Sequence, residues 1–524
     1  MPSLKPRTSK RRSARRGGLI HKPHGVLQPR VQKVGPEHFG IVCVDCAKVR
    51  SRWLLCNFYG TVLVPPTDVA HSKYDFLAME TRLRQALAEH DIQDLVVAIE
   101  RTGNYHLPVK RALSRANFEC RIVHPFATKQ LRQPADPGNK TDDTDLAAIF
   151  RAASTGFGLL EQPLSPLDEQ LRLLVRHRRD LIYKRSALCC QMREHLEATL
   201  PGFAACFENL WDSAVGLYLA CAFSSPEAIR QAGTEGLAQR LRESKLRFQT
   251  PMLGKIATWA GRAAAPHSQA AIHHQILLGL EADRTQKTAH IEALECQLAG
   301  LLVQTPYVLL LSFPGIHVVS AAELAGELGP IEHYANARAI TGRSGLYPAR
   351  YQSDQVDRDG ALIRCANRRL RAALLMVADN LAKCNPHFHA LAAIWKTNRK
   401  DPRRTRIKIA SRFSRIAYQM VAGRQVCRHP AIRQRSLILD KLLQFHREHA
   451  TPPAQTTRDL QAAIEHLPVS ERAVEAVPLA QQLEQTRTAR RRGPQPLADV
   501  LPLVLAKLGA GALQLSPSGD RDPS

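Results

Sequence analysis

The stretch FGIVCVDCAKVRSRWLLCNFYGTVLVP, residues 39–65, decides the fold of the first part of the chain. It contains three short apolar runs that are rich in β-branched and aromatic residues and separated by a few polar residues or a glycine. Runs of this length and composition predict short strands joined by tight connections. The three predicted strands cover residues 39–47, 51–58 and 61–65.

Alternating helices and strands are predicted after this meander. A helical stretch at about 73–90 leads to DLVVAIE (94–100), whose continuous apolar run is typical of a central strand buried on both faces. A second helix at about 105–116 leads to a further strand, FECRIVHP (118–125). This order predicts an α/β domain with a mixed sheet at residues 38–160, and it resembles the ribonuclease-H-like fold.

The middle of the chain, residues 161–305, is predicted to be all-α. Two long stretches, 167–200 and 273–302, carry apolar residues at spacings of three and four with charges between them. Such a pair of helices predicts either an antiparallel pair within one chain or a coil that joins two chains. The second alternative would make the protein a homo-oligomer, a dimer or a tetramer.

A second compact and mainly helical unit is predicted at residues 306–445. Within it, SFPGIHVV (312–319) places a Pro-Gly turn before a helix, which indicates a helix-hairpin-helix-like segment whose turn amides can meet a DNA phosphate. Residues 1–37 hold ten Lys or Arg before the first acid, so we expect a basic disordered arm. Residues 446–524 contain Pro-rich and polar breaks, so we expect short helices in a loosely ordered tail.

Composition narrows the function class. The chain has 524 residues, 44% of them hydrophobic, and a formal net charge of +26, which favours a polyanionic partner over the small substrates of an ordinary metabolic enzyme. No apolar stretch approaches the ~18 residues of a membrane span, and no signal peptide is evident, so we expect a cytoplasmic, nucleoid-associated protein. The CxxC pair Cys43 and Cys46 lies in an apolar strand and is expected to fill the core.

Four acids are candidate ligands for a metal pair. Asp45 lies within the first predicted strand, and Glu100 ends DLVVAIE. Asp142 and Asp145 lie three residues apart at the start of a predicted helix and therefore share one of its faces, whereas Asp143 points roughly 100° away. Carboxylates that converge at one end of a sheet suit two Mg²⁺ ions, the arrangement used in nuclease and strand-transfer chemistry on DNA.

Several segments around these residues resemble a known family. VDCAK (44–48), AIERTGNY (98–105) and NKTDDTDLA (139–147) resemble the acid motifs of the DEDD transposases of the IS110 group of insertion sequences, which are kin to the Piv-type DNA invertases. In the second half, the Pro-Gly-Ile segment at 312–329 and the Gly-Leu-x-Pro segment with its following serine at 340–354 resemble the same family. CANRRLRAAL (365–374) does so as well.

The resemblance implies roles for particular residues. It implies a RuvC-like first domain whose metal ligands are Asp45, Glu100, Asp142 and Asp145. It also implies a C-terminal nucleophilic serine, Ser353, that attacks a DNA phosphodiester and holds the strand covalently. The family further implies a noncoding guide RNA that bridges target and donor DNA. Three departures are visible: Asp354 stands where the family has Gly, Cys365-Ala366-Asn367 replaces Lys-x-Gly-Asn, and the arm (1–37) and the tail (445–524) extend beyond the usual family length.

Basic residues are the candidate nucleic-acid contacts. Between Lys396 and Arg435 there are thirteen Lys or Arg and one acid, interleaved with aromatic residues such as Phe413 and Tyr418. Arginines on the helix after Ser353 could clamp a scissile phosphate, because the guanidinium suits bidentate phosphate contacts. The selected candidates are Lys140, Arg364, Arg368, Arg371, Arg403 and Arg404.

Three functions are compatible with these features. The leading hypothesis is a DNA transposase or site-specific recombinase that uses Mg²⁺ and a serine nucleophile. A metal-dependent nuclease or junction resolvase would share the four carboxylates without needing the serine. A catalytically inactive nucleic-acid-binding protein would need only the positive charge.

Overall fold

The structure is a computed structural model that describes residues 25–132, 138, 140–353, 356–398, 401–488 and 496–509. The chain divides into two compact units, residues 1–163 and 164–524, and each is treated separately. Most of the predicted arm, residues 1–24, and the end of the predicted tail, residues 510–524, lie outside the described residues, as does Asp354.

The first unit contains a six-stranded mixed sheet, which confirms the predicted α/β class. Its order is β3-β2-β1-β4-β5-β6, with β4 parallel to β1, β5 parallel to β4, and the other neighbours antiparallel. This arrangement is consistent with a ribonuclease-H-like domain. The strands are β1 (Phe39–Cys46), β2 (Arg50–Asn57), β3 (Val62–Ala70), β4 (Asp94–Glu100), β5 (Cys120–Val123) and β6 (Gly158–Leu159).

Helices cover both faces of this sheet. The strand period of two sends Val42 and Val44 of β1 into one core, with α2 and α3, and Ile41 and Cys43 into the other, with α1, α4 and α5. Cys43 and Cys46 are buried free thiols, as expected for core residues. The helices are α1 (Gln28–Val34), α2 (Lys73–Glu89), α3 (His106–Arg115), α4 (Pro125–Arg132) and α5 (Asp142–Ser154).

The expectation of a disordered arm is wrong for its last part. Helix α1 packs on the sheet through Leu27 and Val31, both buried. Arg30 donates hydrogen bonds to Asp94 at 2.9 Å and to Glu119 at 2.9 Å. The density of basic residues predicts repulsion, but an acid of β4 and an acid directly before β5 neutralise this arginine and hold the helix in place.

The second unit begins with two long helices, α6 (Pro166–Thr199) and, further along, α10 (Ala270–Leu302). They form an antiparallel pair within the chain, because His195 near the end of α6 meets His273 near the start of α10, while Arg178 meets Glu295. Of the two predicted arrangements, the described residues therefore show the intrachain pair. Between them, α7 (Ala214–Ala222), α8 (Pro226–Glu243) and α9 (Thr250–Ala260) surround a separate apolar core.

The remaining elements share one large core. It includes residues from the predicted tail, such as Leu460, Leu479 and Leu501. The expected loosely ordered tail is therefore wrong for its described part, because these helices bury apolar faces, and the expected boundary at 445/446 falls inside α16. The elements are α11 (Val318–Leu328), α12 (Ala337–Ser344), β7 (Pro348–Ser353), β8 (Val356–Leu362), α13 (Arg368–Cys384), α14 (Pro386–Thr397), α15 (Pro402–Ala422), α16 (Ile438–Glu448), α17 (Pro453–His466), α18 (Val469–Thr488) and α19 (Pro496–Lys507).

The predicted helix-hairpin-helix-like segment is a core element. A 3-10 helix (Pro306–Ser312) leads through the Pro-Gly turn into α11, and its residues are buried. The Lys441 ammonium donates to the Phe313 carbonyl at 3.1 Å, and the Asn385 amide donates to the Pro314 carbonyl at 3.1 Å. These bonds occupy carbonyls of the turn and not its amides, so the contact of the turn amides with a DNA phosphate stays a prediction.

Within the described residues, no single helix is both long and apolar enough to cross a membrane. Only α10 together with the following 3-10 helix passes such a test by length and composition, and the two are bent by 107°.

Candidate active site

Asp45 and Glu100 lie side by side at the end of the two central strands. The parallel register of β1 and β4 pairs Val44 with Ile99, so Asp45 and Glu100 are the next residues along. Asp45 and Glu100 each lie two residues after a side chain that packs against α5, namely Cys43 and Ala98. Because side chains alternate along a strand, the two acids face the same side as those residues. The period of the strands therefore directs both carboxylates to one face of the sheet.

The pKa of Asp45 records this crowding of acids. Burial, followed by the charges of Glu100, Asp145 and Asp142, raises the pKa of Asp45 from 3.8 to about 6, and Lys140 lowers it. The pKa of Glu100 is also raised, first by burial and then by Asp145. The structure thus brings the four predicted acids, together with Lys140, into one electrostatic neighbourhood.

Helix α5 presents the other two acids from its first turn. The helix begins with a capping box in which Thr141 and Thr144 hydrogen-bond reciprocally, which fixes where the turn starts. Asp145 is 6% exposed, whereas Asp142 is exposed. Asp143 instead binds the Arg52 guanidinium at 2.9 Å. This pairing agrees with the prediction that Asp143 points away from the other two acids.

Helix α4 supplies two site residues that the sequence reasoning missed. The Thr128 hydroxyl donates to the Glu100 carboxylate at 2.9 Å, and Arg132 forms an ion pair with Asp145. The two residues lie four apart and so project from one side of α4. In the sequence, the signal for these two residues is their spacing of four directly after the predicted strand 118–125.

The donor chemistry suits Mg²⁺, since all four groups are carboxylates. Among the described residues, however, no group of three or more acids, histidines or cysteines lies close enough to hold a metal ion. The expected two-metal site is therefore not assembled in the described part of the chain. Arg132 pairs with Asp145 in this arrangement, and the charges of the other three acids interact at Asp45.

Ser353 ends the first strand of an exposed two-stranded hairpin in the second unit. It pairs with Val356 of β8, and both strands are exposed almost throughout. Arg350 of β7 and Asp357 of β8 form an ion pair across the hairpin, with Nε to Oδ1 at 2.8 Å. The serine is thus carried on a protruding ribbon, accessible to a large substrate.

Arg371 holds both ends of this hairpin at its base. Its Nε donates to the Ser344 carbonyl at 2.8 Å, and its Nη2 donates to the Ile363 carbonyl. These two bonds give Arg371 a structural role at the hairpin base, and its predicted contact to a phosphate stays a prediction. A side chain at Gly345 would meet the Arg371 guanidinium at 2.3 Å, and Gly345 has φ +62°, which together explain the glycine.

Asn367 and Glu327 join the motifs of the second unit. Asn367 caps α13, because its side-chain oxygen accepts from the amides of Arg369 and Leu370. Its side-chain amide donates to Glu327 at 3.1 Å, and Glu327 is also bound by Arg176 at 2.9 Å. The three resembling segments thus meet beneath the Ser353 hairpin and support it.

The other predicted nucleic-acid contacts lie on the surface. Arg364 and Arg368 are exposed near the start of α13, and Arg403 and Arg404 are exposed in the first turn of α15. The interleaved aromatics have a different position: Phe413 is completely buried. Tyr418 is half-buried and packs against the same core, so both rings contribute to the packing of the helical unit.

Comparisons with known proteins agree with this architecture. Residues 42–201 match a transposase family model, that of the IS110 DEDD transposases, and residues 307–393 match the model described as "Transposase IS116/IS110/IS902 family". An insertion element IS900 protein of 42 kDa from Mycobacterium paratuberculosis, described as uncharacterized, is 26% identical over 311 residues, which are 56% of this chain and 73% of that protein.

A second relative is similar over a shorter stretch. An uncharacterized 44.8 kDa protein of insertion element IS116 from Streptomyces clavuligerus is 26% identical over 251 residues, 46% of this chain and 60% of that protein. The matches place the carboxylates and the Ser353 hairpin inside two separate regions of similarity. They support an insertion-sequence transposase of the IS110 type.

Proposed function

We propose that the chain exchanges DNA strands by a metal-dependent mechanism with Ser353 as nucleophile. The observation that carries the proposal is the convergence of Asp45, Glu100 and Asp145 at one end of the sheet. The charges of Glu100 and Asp145 raise the pKa of Asp45, and the charge of Asp145 raises the pKa of Glu100. A binding protein has no need for such an unfavourable cluster, whereas a divalent cation would relieve it.

The first unit would hold the metal through Asp45, Glu100, Asp142 and Asp145. A bound divalent cation would supply charge stabilisation to the scissile phosphate. Asp145 would have to release Arg132 before it could act as a ligand, and the freed guanidinium would then be available to a phosphate oxygen. Thr128 would keep the Glu100 carboxylate in place through its hydrogen bond.

The second unit would supply the nucleophile. The Oγ atom of Ser353 would form a bond to the phosphorus, the bond from phosphorus to one deoxyribose oxygen would break, and that oxygen would leave with a proton. The serine proton would pass to a base. Rejoining to another strand would reverse these steps. A noncoding guide RNA, a homo-oligomeric assembly, and DNA contacts by Lys140, Arg364, Arg368, Arg403 and Arg404 belong to the same proposal.

The test looks for protein covalently attached to DNA. Purified protein is incubated with Mg²⁺, supercoiled DNA carrying its own element ends, and flanking RNA, and the products are denatured. We expect an adduct that is lost in Ser353→Ala and in Asp142→Ala. Ser268→Ala, an exposed loop serine, and Asp143→Ala, the neighbouring exposed acid, are the matched controls and should keep it.

A metal-dependent nuclease is the second candidate, favoured because all four carboxylates belong to one compact unit that does not include Ser353. Free cut ends without an adduct, with unchanged cutting by Ser353→Ala, would establish this alternative. Binding without cleavage, even with RNA present, would favour an inactive nucleic-acid-binding protein.

A further inference from the structure

The segment between α15 and α16 borders a cavity of about 440 Å³ that has no assigned role. Three arginines and a histidine line it, and no acid does. The lining residues are Cys427, Arg428, His429, Pro430, Ile432, Arg433 and Arg435. A small cleft with this lining is suited to an anion.

One buried carboxylate holds two of the three arginines. Glu471 of α18, 5% exposed, accepts from Arg428 at 2.9 Å through one oxygen and pairs with Arg435 through the other. A guanidinium has five N–H donors, so each arginine keeps donors for a further acceptor. Arg433 is exposed and makes no ion pair with any residue that the structure describes. Glu471 therefore positions the arginines and leaves the cleft with a surplus of positive charge.

A row of basic side chains continues from this cleft along α14 and α15. The ring of His429 lies against that of His387, with centroids 4.2 Å apart, and the charge of Arg412 lowers the pKa of His387 after burial and His429. Arg412 and Lys408 in turn lie over the ring of Trp395, 5.2 and 5.6 Å from its centroid. The cleft is thus one end of an extended basic row.

The aromatic residue in this row, Trp395, contacts basic side chains and is not open to nucleic-acid bases. Trp395 is 8% exposed, and its ring is covered by Arg412 and Lys408. Stacking on single-stranded bases requires an accessible ring. Charge without an open aromatic face favours contacts to the sugar–phosphate backbone, which carry affinity but no sequence information.

We propose that the cleft lined by Arg428, Arg433 and Arg435 binds a backbone phosphate of a nucleic acid, independently of sequence. Arg412 and Lys408 would contact neighbouring phosphates of the same strand. The proposal rests on the proposed function, which supplies the nucleic acid, and adds a contact surface separate from the carboxylates and from the Ser353 hairpin. DNA and RNA share this phosphodiester chemistry.

The test measures the binding of full-length protein to a fluorescent duplex of arbitrary sequence at several salt concentrations, without Mg²⁺. Each phosphate contact contributes about 0.9 to the slope of log affinity against log salt for duplex DNA. We expect Arg433→Ala to weaken binding several-fold and to reduce the slope by about one, equally for unrelated sequences. Arg433→Lys should retain most of the slope, and Arg193→Ala, an exposed arginine on α6, should match wild type.

Separate arms identify the ligand. A duplex DNA, a duplex RNA and a nucleoside monophosphate are compared, and a loss of affinity in Arg433→Ala for either duplex supports the phosphodiester site. An unchanged slope in Arg433→Ala, with thermal unfolding like that of wild type, would overturn it. That outcome would not affect the covalent adduct of Ser353. If wild type forms no adduct while Arg433→Ala still alters the slope, only the proposed function is overturned.

Discussion

Replacing Asp45 by Asn should stabilise the first unit while abolishing strand exchange. The pKa of Asp45 rises from 3.8 to about 6, chiefly through burial and then through the neighbouring acids. One pKa unit corresponds to 1.36 kcal/mol, so the ionised carboxylate costs the folded state about 3 kcal/mol at pH 8. Asn has nearly the same shape and no charge. We therefore expect Asp45→Asn to raise the free energy of unfolding by up to about 3 kcal/mol in the absence of Mg²⁺.

The pH dependence has a definite sign. Because the folded state holds the proton more tightly than the unfolded state, this cost is absent well below pH 3.8 and complete above pH 6. The gain from Asp45→Asn should fall to about half at pH 5. Urea unfolding of the full chain, with hydrogen exchange of residues 39–57 reporting on the first unit, measures this difference.

Two comparisons could refute this reasoning. Asp143→Asn removes a neighbouring carboxylate that is bound to Arg52, so it should give no gain in stability at pH 8. A gain in Asp45→Asn that is the same at pH 5 and pH 8 would show that charge is not the cause. If Asp45→Asn destabilises the unit at pH 8, the carboxylate is not in an unfavourable environment. Added Mg²⁺ should stabilise wild type more than the variant.

Three other substitutions test the contacts that support the two sites. Arg132→Gln leaves the buried carboxylate of Asp145 without its partner and should lower the free energy of unfolding by about 3–5 kcal/mol. Mg²⁺ should restore part of this loss. An equal loss with and without Mg²⁺ would contradict the proposal that a metal ion replaces Arg132 at Asp145. Arg371→Lys cannot reach both carbonyls at the hairpin base, so amides of 348–362 should exchange about tenfold faster. A fall in DNA affinity as well would support the phosphate contact predicted for Arg371. Glu327→Gln should cost about 1–3 kcal/mol in thermal unfolding through its arginine partner, whereas the exposed Glu332→Gln should have no effect.

Much of the first unit could be predicted from the sequence because local patterns dominate there. DLVVAIE occupies a strand with the predicted bounds, 94–100, and its continuous apolar run is typical of a strand buried on both faces. Alternation along β1 places Asp45 on the face of the α5 core, and the spacing of Asp142 and Asp145 puts them on one helix face. The choice of the four candidate acids thus followed from periodicity, and the structure shows that their charges interact at Asp45.

What the sequence alone determined was the class of each segment and the identity of the acids; tertiary structure decided the partners. Thr128 and Arg132 enter the site only because α4 packs beside α5. Arg371 binds the carbonyls of Ser344 and Ile363 only because its helix packs at the base of the Ser353 hairpin. The tail became core because Leu460, Leu479 and Leu501 find apolar neighbours far away in the chain. Local periodicity is encoded within a few residues, whereas the partner of a long polar side chain depends on which distant elements pack beside it.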